Sequence, residues 1–150
     1  MTAPQPDQTE ETLPVEFLFE MSLSIGEERA VVRRGPHGTR AVASVTGGQV
    51  TGPKVNATVF PVAAGDWVTV RGGGVVHIDV RLTLETDDGA IIQVSYNGIG
   101  QAHEDGTTSI RTAPTFEVGD ERYTWLNAIQ AVGVGTATHD SVTYRVYRLL

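Results

Sequence analysis

The sequence predicts an all-β fold, a single antiparallel barrel of about nine or ten strands, and three observations carry that prediction. Apolar and polar residues alternate with period two from residue 13 to the end of the chain. Clusters of Gly, Asp and Pro interrupt the alternation at roughly 8–12-residue intervals, the spacing of short strands joined by turns. Helical periodicity is missing, and only residues 120–128 have room for at most one short helical turn.

Residues 1–12 are polar and proline-containing and read as a flexible tail, because they bury too little to offset their ordering entropy. One domain is expected over 13–150. Its first strand sets Val15, Phe17, Phe19, Met21 and Leu23 on one face and Glu16, Leu18, Glu20 and Ser22 on the other. Further strands are expected over 29–34, 40–45, 48–52, 54–62, 66–71, 75–86, 90–100, 107–118, 128–137 and 141–149, all rich in Val, Ile, Thr and Tyr. Seventeen glycines suit bent strands and bulges. The short connections read as consecutive hairpins, which favours an up-and-down barrel over a Greek-key sandwich.

With 150 residues the chain can bury a sizeable core without a staple. It has no cysteine, so disulfides, thiol catalysis and iron–sulfur clusters are excluded. The net charge of −7 and scattered basic residues argue against nucleic acid and against an anionic membrane surface. No apolar run approaches a membrane span and no leader peptide is visible, so a cytoplasmic location is expected. The histidines His37, His77, His103 and His139 lack ligand spacing, so no metal is expected. No glycine-rich phosphate loop precedes a helix and no nucleophile elbow occurs, so no nucleotide or other cofactor is expected.

The hairpin formed by 75–86 and 90–100 is the most informative stretch. Val76, Ile78, Val80, Leu82 and Leu84 share one face, and His77, Asp79, Arg81, Thr83 and Glu85 share the other. A two-residue turn at Asp88-Gly89 would mix the faces. A three-residue Asp87-Asp88-Gly89 loop with Gly89 left-handed pairs Leu84 with Ile92, Leu82 with Val94, Val80 with Tyr96 and Asp79 with Asn97. In a filled barrel the polar face is solvated; in a barrel with a ligand cavity it can line the lumen. Pattern alone leaves both placements open.

Several strings, in order, resemble one family: Thr46-Gly47-Gly48, Thr51-Gly52-Pro53, Gly65-Asp66-Trp67, Asp79-Val80-Arg81, the turn from Leu84 to Ile92, Arg111, Phe116-Glu117, Tyr123-Thr124-Trp125-Leu126-Asn127 and Val132-Gly133. The chain is identified by them as similar to the DUF3237 (UPF0311) family of bacterial and fungal proteins from about residue 14 onward. Gly72-Gly73-Gly74 and the segment from Ile99 to Gly106 depart from the family pattern. The resemblance implies a calycin-like barrel, a homodimer, a central pocket, and cofactor-free chemistry on a small, partly apolar molecule of the isomerase, cyclase, lyase or hydratase type. Within it, Asp79 is the expected general acid or base, since a carboxylate lining an apolar cavity has its pKa raised. Asn97 would orient it. Arg81 would hold a carboxylate or a developing oxyanion. Trp67, Arg111, Glu117, Trp125 and Asn127 are the remaining expected substrate contacts. Each has a structural alternative: Asp79 and Arg81 as an ion pair, Arg111 and Glu117 as a cross-strand pair, Trp125 as packing, and Asp66 as a loop acid. A non-catalytic carrier barrel and a barrel filled by its own side chains are the competing readings.

Overall fold

A computed structural model of the chain describes residues 10–150, so most of the expected tail lies outside the described residues. Ten strands follow in order: β1 (Val15–Gly35), β2 (Gly38–Thr51), β3 (Ala57–Val59), β4 (Gly65–Val70), β5 (Val75–Thr86), β6 (Ile91–Ala102), β7 (Thr108–Thr112), β8 (Thr115–Val118), β9 (Ala131–Ala137) and β10 (Ser141–Leu149). Two short 3-10 turns, Gly72–Gly74 and Thr124–Ala128, accompany them. The second is the helical turn the sequence allows.

All pairings are antiparallel. β1 lies between β2 and β10, and β2 pairs with both β3 and β4, each of which pairs with β5. β5 joins β6, β6 carries β7 and β8, β7 joins β9, and β9 joins β10. The β5–β6 pairing closes the ring, which removes the long unpaired edges that would otherwise template aggregation.

Strand boundaries differ from expectation in three ways. The strands expected at 15–23 and 29–34 are one strand, β1, whose register against β2 breaks on either side of Ile25. With β2 alongside, the residues between the two expected strands are absorbed as a bulge. Likewise Gly47-Gly48 bends β2 without ending it. The strand expected over 54–62 contracts to Ala57–Val59 between Pro53 and Pro61, and 107–118 splits at Ala113-Pro114, because proline has no N–H to give to a ladder.

The β5–β6 register is the expected one: Leu84 faces Ile92, Leu82 faces Val94, Val80 faces Tyr96 and Asp79 faces Asn97. Gly89 has φ 92°, the left-handed conformation the three-residue loop demands. The apolar face of this hairpin points inward and the polar face outward. Burying a Val, Ile or Leu side chain gains about 1.5–3 kcal/mol. Turning Arg81 and Glu85 inward instead would cost several kcal/mol per ion.

One half of the barrel is solid. Phe19, Met21, Leu82, Leu84, Ile92, Val94, Leu126 and Val146 are each at most 2% exposed. The Thr124–Ala128 turn fits beside β8, which among the described residues pairs with β6 alone, and drives Leu126 into this core. Asn127 fixes it in place: its Oδ1 accepts the Val118 N–H at 2.8 Å and its Nδ2 donates to the Val118 carbonyl at 2.8 Å.

Candidate active site

The other half of the interior is not filled. There β6 and β9 present glycine to the inside, Gly98 and Gly100 on β6 and Gly133 and Gly135 on β9, in line with Tyr96 and Ala131. At Gly135 a Cβ would stand 2.4 Å from Cδ1 of Tyr144, so the ring of Tyr144 lies where a side chain of β9 would otherwise be. A cavity of about 210 Å³ opens in this half. Its wall is aliphatic, with Val68, Val76, Ile78, Ile110 and Val142 among the lining residues. Its polar groups are few: Asp66, Tyr144, Arg29, His139 and two threonines.

Asp66 is placed by register. It stands opposite Ala43 of β2 and Val80 of β5, both buried, so it belongs to the inner face of β4 while Trp67 points out. The β4–β5 ladder is open beside it, with no paired residues between Asp66/Val80 and Thr69/His77. The Asp66 carboxylate occupies that opening and accepts the backbone N–H of Asp79 at 3.1 Å. Burial among aliphatic side chains pushes its pKa up from 3.8 to about 6. The Asp79 N–H works against that rise, the Asp79 charge adds to it, and Arg29 lowers it slightly.

Two tyrosines lie within electrostatic reach of this carboxyl. Tyr96 on β6 and Tyr144 on β10 pack edge to face, their rings 5.4 Å apart. Burial raises both pKa values above the ordinary 10.0, with the negative charge of Asp66 adding to the effect, so both stay neutral hydrogen-bond donors at physiological pH. The two hydroxyls are close enough to perturb each other, yet their geometry falls short of a hydrogen bond, and Tyr96 Oη has no partner among the described residues. An unspent phenolic donor deep in a barrel is costly unless something accepts from it. Thr112, inward on β7, is likewise buried with its hydroxyl unpartnered.

At the mouth, the bulge in β1 returns Arg29 to the inner face opposite Ala43. One guanidinium nitrogen donates to the Gly26 carbonyl and another to the His139 carbonyl at 2.8 Å, so the side chain bridges β1 to the β9–β10 turn.

The residues expected from sequence are distributed otherwise. Asp79, Arg81 and Trp67 lie together on the outer wall, where with Arg40 they line a hollow of about 310 Å³. Asn97 and Arg111 share a second outer hollow with His77. These positions correct the expectation that the Asp79 face lines the lumen: on β5 the aliphatic face points inward, Val76 and Ile78 reaching the cavity, and the polar face points out. Glu117 is exposed on β8 opposite Gln93, and Arg111 lies opposite Ile99, so the two do not pair across strands. Trp125 packs against the solid core, its Nε1 donating to the Arg122 carbonyl and its ring 5.6 Å from Lys54 Nζ. Asn127 is occupied as the clasp on Val118. A still larger hollow of about 570 Å³, with Glu20, Gln49 and Arg145, is also on the outer wall and contains neither the perturbed carboxyl nor the tyrosines. No group of three or more His, Asp or Glu side chains placed to hold a metal ion occurs among the described residues.

The inner constellation of Asp66, Tyr96, Tyr144 and Arg29 was only partly legible. Beside Gly65, Asp66 reads as a loop acid, yet it alternates with Val68 inside β4. The signal for Tyr96 was its register opposite Val80, which put a hydroxyl on an otherwise aliphatic face.

These features define a class: a closed antiparallel β-barrel, half solid and half hollow, with an acid and a phenol on the wall of the hollow half and a second phenol packed against the first. Within that class the chain belongs to the DUF3237 family of proteins of unknown function, whose pattern matches residues 13–149. It is 28% identical over 152 residues to a UPF0311 protein of Rhodopseudomonas palustris, covering 93% of this chain and 98% of that one. The crystal structure of the conserved R. palustris protein superposes with a TM-score of 0.85 over 94% of this chain and all of the other, at 25% identity. A β-barrel-like protein of Acinetobacter baumannii has the same fold, with a TM-score of 0.84 over 96% of this chain and all of the other, at 24% identity. A hydroalkoxylation enzyme of Penicillium herquei is 28% identical over 120 residues, which is 79% of this chain and 72% of the enzyme.

Proposed function

We propose that this protein is an enzyme that uses Asp66 to move a proton during addition of an O–H group across a carbon–carbon double bond, within the hollow half of the barrel. The observation that carries the reading is a carboxyl on the cavity wall with its pKa raised to about 6, sharing that wall with the neutral, buried phenol of Tyr144. A pKa near the working pH lets one group act as base and then as acid. The fungal relative supports the class of reaction, since hydroalkoxylation is the addition of an alcohol O–H across C=C.

The groups fit an addition to an alkene conjugated with a carbonyl. Asp66 takes the proton of the attacking hydroxyl. The oxygen forms its bond to the β-carbon, and the alkene electron pair moves onto the carbonyl oxygen as an enolate. Tyr144, on the cavity wall, donates to that oxygen, in a low-dielectric site where such a bond is worth more than in water. The enolate collapses, the α-carbon takes the proton back from Asp66, and the carboxylate is restored. Atoms and charge balance with no co-reactant. The reverse sequence is an elimination by the same groups.

Turnover of hydroxylated enones by wild type and Asp66→Asn tests this. Loss of the acid–base group is expected to lower kcat by about 10²–10⁴-fold. The wild-type rate is expected to fall as pH drops through about 6, where Asp66 loses its capacity as a base. Unchanged turnover in the Asn variant defeats the reading. The largely aliphatic lining favours one alternative, a carrier, which saturable binding with no product from any bound enone would establish.

A further inference from the structure

Arg29 is an exposed cation at the mouth of the cavity, and among the described residues no acid forms an ion pair with it. Its side-chain hydrogen bonds all go to backbone carbonyls, those of Gly26, Glu28 and His139. The neighbouring acid Asp140 is turned to its own loop, accepting from the Thr138 hydroxyl at 2.9 Å. A guanidinium has five N–H donors in a fixed fork, so those carbonyls hold its plane and leave capacity for a ligand.

Register places this cation relative to the chemistry. Arg29 stands opposite Ala43, and Ala43 stands opposite Asp66, so the three form one row across β1, β2 and β4 on the inner face. Two strand spacings separate the ends of the row, roughly 10 Å between backbones. The middle position is alanine, whose small side chain leaves the floor between the two charged groups open. A molecule seated there has one end at a fixed cation and the other at the acid, with aliphatic side chains along its length.

We propose that the cavity selects a compact molecule carrying a carboxylate or similar monoanionic oxygen group, held by the free edge of Arg29, with its uncharged reacting end directed at Asp66. This rests on the proposed proton-transfer role of Asp66 for the meaning of the reacting end, but the anion site itself does not depend on it. Arg29 is then a specificity residue: it sets which molecules enter and in which direction, and takes no proton itself.

Binding measurements on the full chain separate the two ideas, with trans-cinnamate and the neutral, nearly isosteric cinnamamide as probes in titration calorimetry. Wild type is expected to bind the anion about ten- to a hundredfold more tightly than the amide, the usual worth of a hydrogen-bonded charge. In Arg29→Gln that ratio falls to about one, while Arg29→Lys, which keeps the charge and loses the fork, retains part of it. Circular dichroism and thermal midpoints of both variants show whether the brace between β1 and the β9–β10 turn survives; if Gln unfolds the barrel, the Lys variant and the salt dependence of wild-type cinnamate binding decide. Asp66→Asn is expected to bind cinnamate at least as tightly as wild type, since it removes a neighbouring negative charge. A ratio near one in wild type, a ratio unchanged by Arg29→Gln in a folded protein, or no binding of cinnamate overturns the proposal. Loss of the preference with Asp66-dependent turnover of neutral enones overturns this inference alone. A preserved preference with Asp66-independent turnover overturns only the catalytic reading.

Discussion

Replacing Asp66 by Asn is expected to make the protein more stable near neutral pH, and the size of the gain follows from its surroundings. In the unfolded chain an aspartate ionises at about 3.8; on the inner wall the value is about 6. At roughly 1.36 kcal/mol per tenfold change in proton affinity, ionised Asp66 costs the native state about 3 kcal/mol. The native state therefore binds the extra proton between those two pH values. The contribution of this group is fully present below 3.8 and is lost as pH rises through about 6. Asparagine has no charge to desolvate, and its side-chain oxygen can still accept the Asp79 N–H that Asp66 holds. Solvent reaching the cavity reduces the benefit, so a gain of about 1–3 kcal/mol near pH 8 is expected, or about 2–4 °C in Tm per kcal/mol for a chain of this size. Near pH 4 wild type is largely relieved of the penalty and the two proteins should converge. Urea titrations of both at the two pH values measure this; all other carboxylates are common to both, so the difference isolates position 66. A variant less stable than wild type near pH 8, or a gap that fails to close on acidification, refutes the desolvated-carboxylate argument.

Asp79→Asn, half-buried on the outer wall, should leave turnover within about twofold and stability within about 0.5 kcal/mol, as substitutions away from the core usually do. It should also move the acid limb of the rate profile slightly downward, because the Asp79 charge helps to raise the pKa of Asp66; a collapse of turnover would return Asp79 to the chemistry. Gly135→Ala places a methyl 2.4 Å from Tyr144 Cδ1, so an overpacking cost of about 1–3 kcal/mol is expected, with the ring displaced toward the cavity and weaker ligand binding. Denaturation midpoints and ligand titration check both parts, and an alanine variant indistinguishable from wild type in both would show that the ring does not need the space.

The fold was readable because a strand's period is visible in one dimension. The face of β5, its register with β6 and the left-handed Gly89 all follow from local alternation and turn chemistry. Bulges were harder: the gap between residues 23 and 29 and the pair Gly47-Gly48 separate expected strands until a neighbouring strand is known to run past them. The site was less legible, for a physical reason. A polar stripe on a strand marks the face away from the core, and Asp79, Arg81, Asn97 and Arg111 obeyed that rule and lie outside. Four of the inner polar groups interrupt the apolar face on four different strands: Arg29 on β1, Asp66 on β4, Tyr96 on β6 and Tyr144 on β10. They meet only through closure of the ring, and no single stretch of sequence contains two of them.

The hydrogen bond from the Asp79 amide to the Asp66 carboxylate crosses a wall one strand thick. Inside is the group that gains and loses a proton; outside, one residue further along β4, is Trp67, 41% exposed and beside Asp79 in the same hollow. The chain has one other tryptophan, Trp125, seated by the solid core under Lys54. The barrel thus carries its own optical probe: Trp67 emission should follow protonation, or ligand capture, at a carboxyl it never touches, with no label and no entry into the cavity.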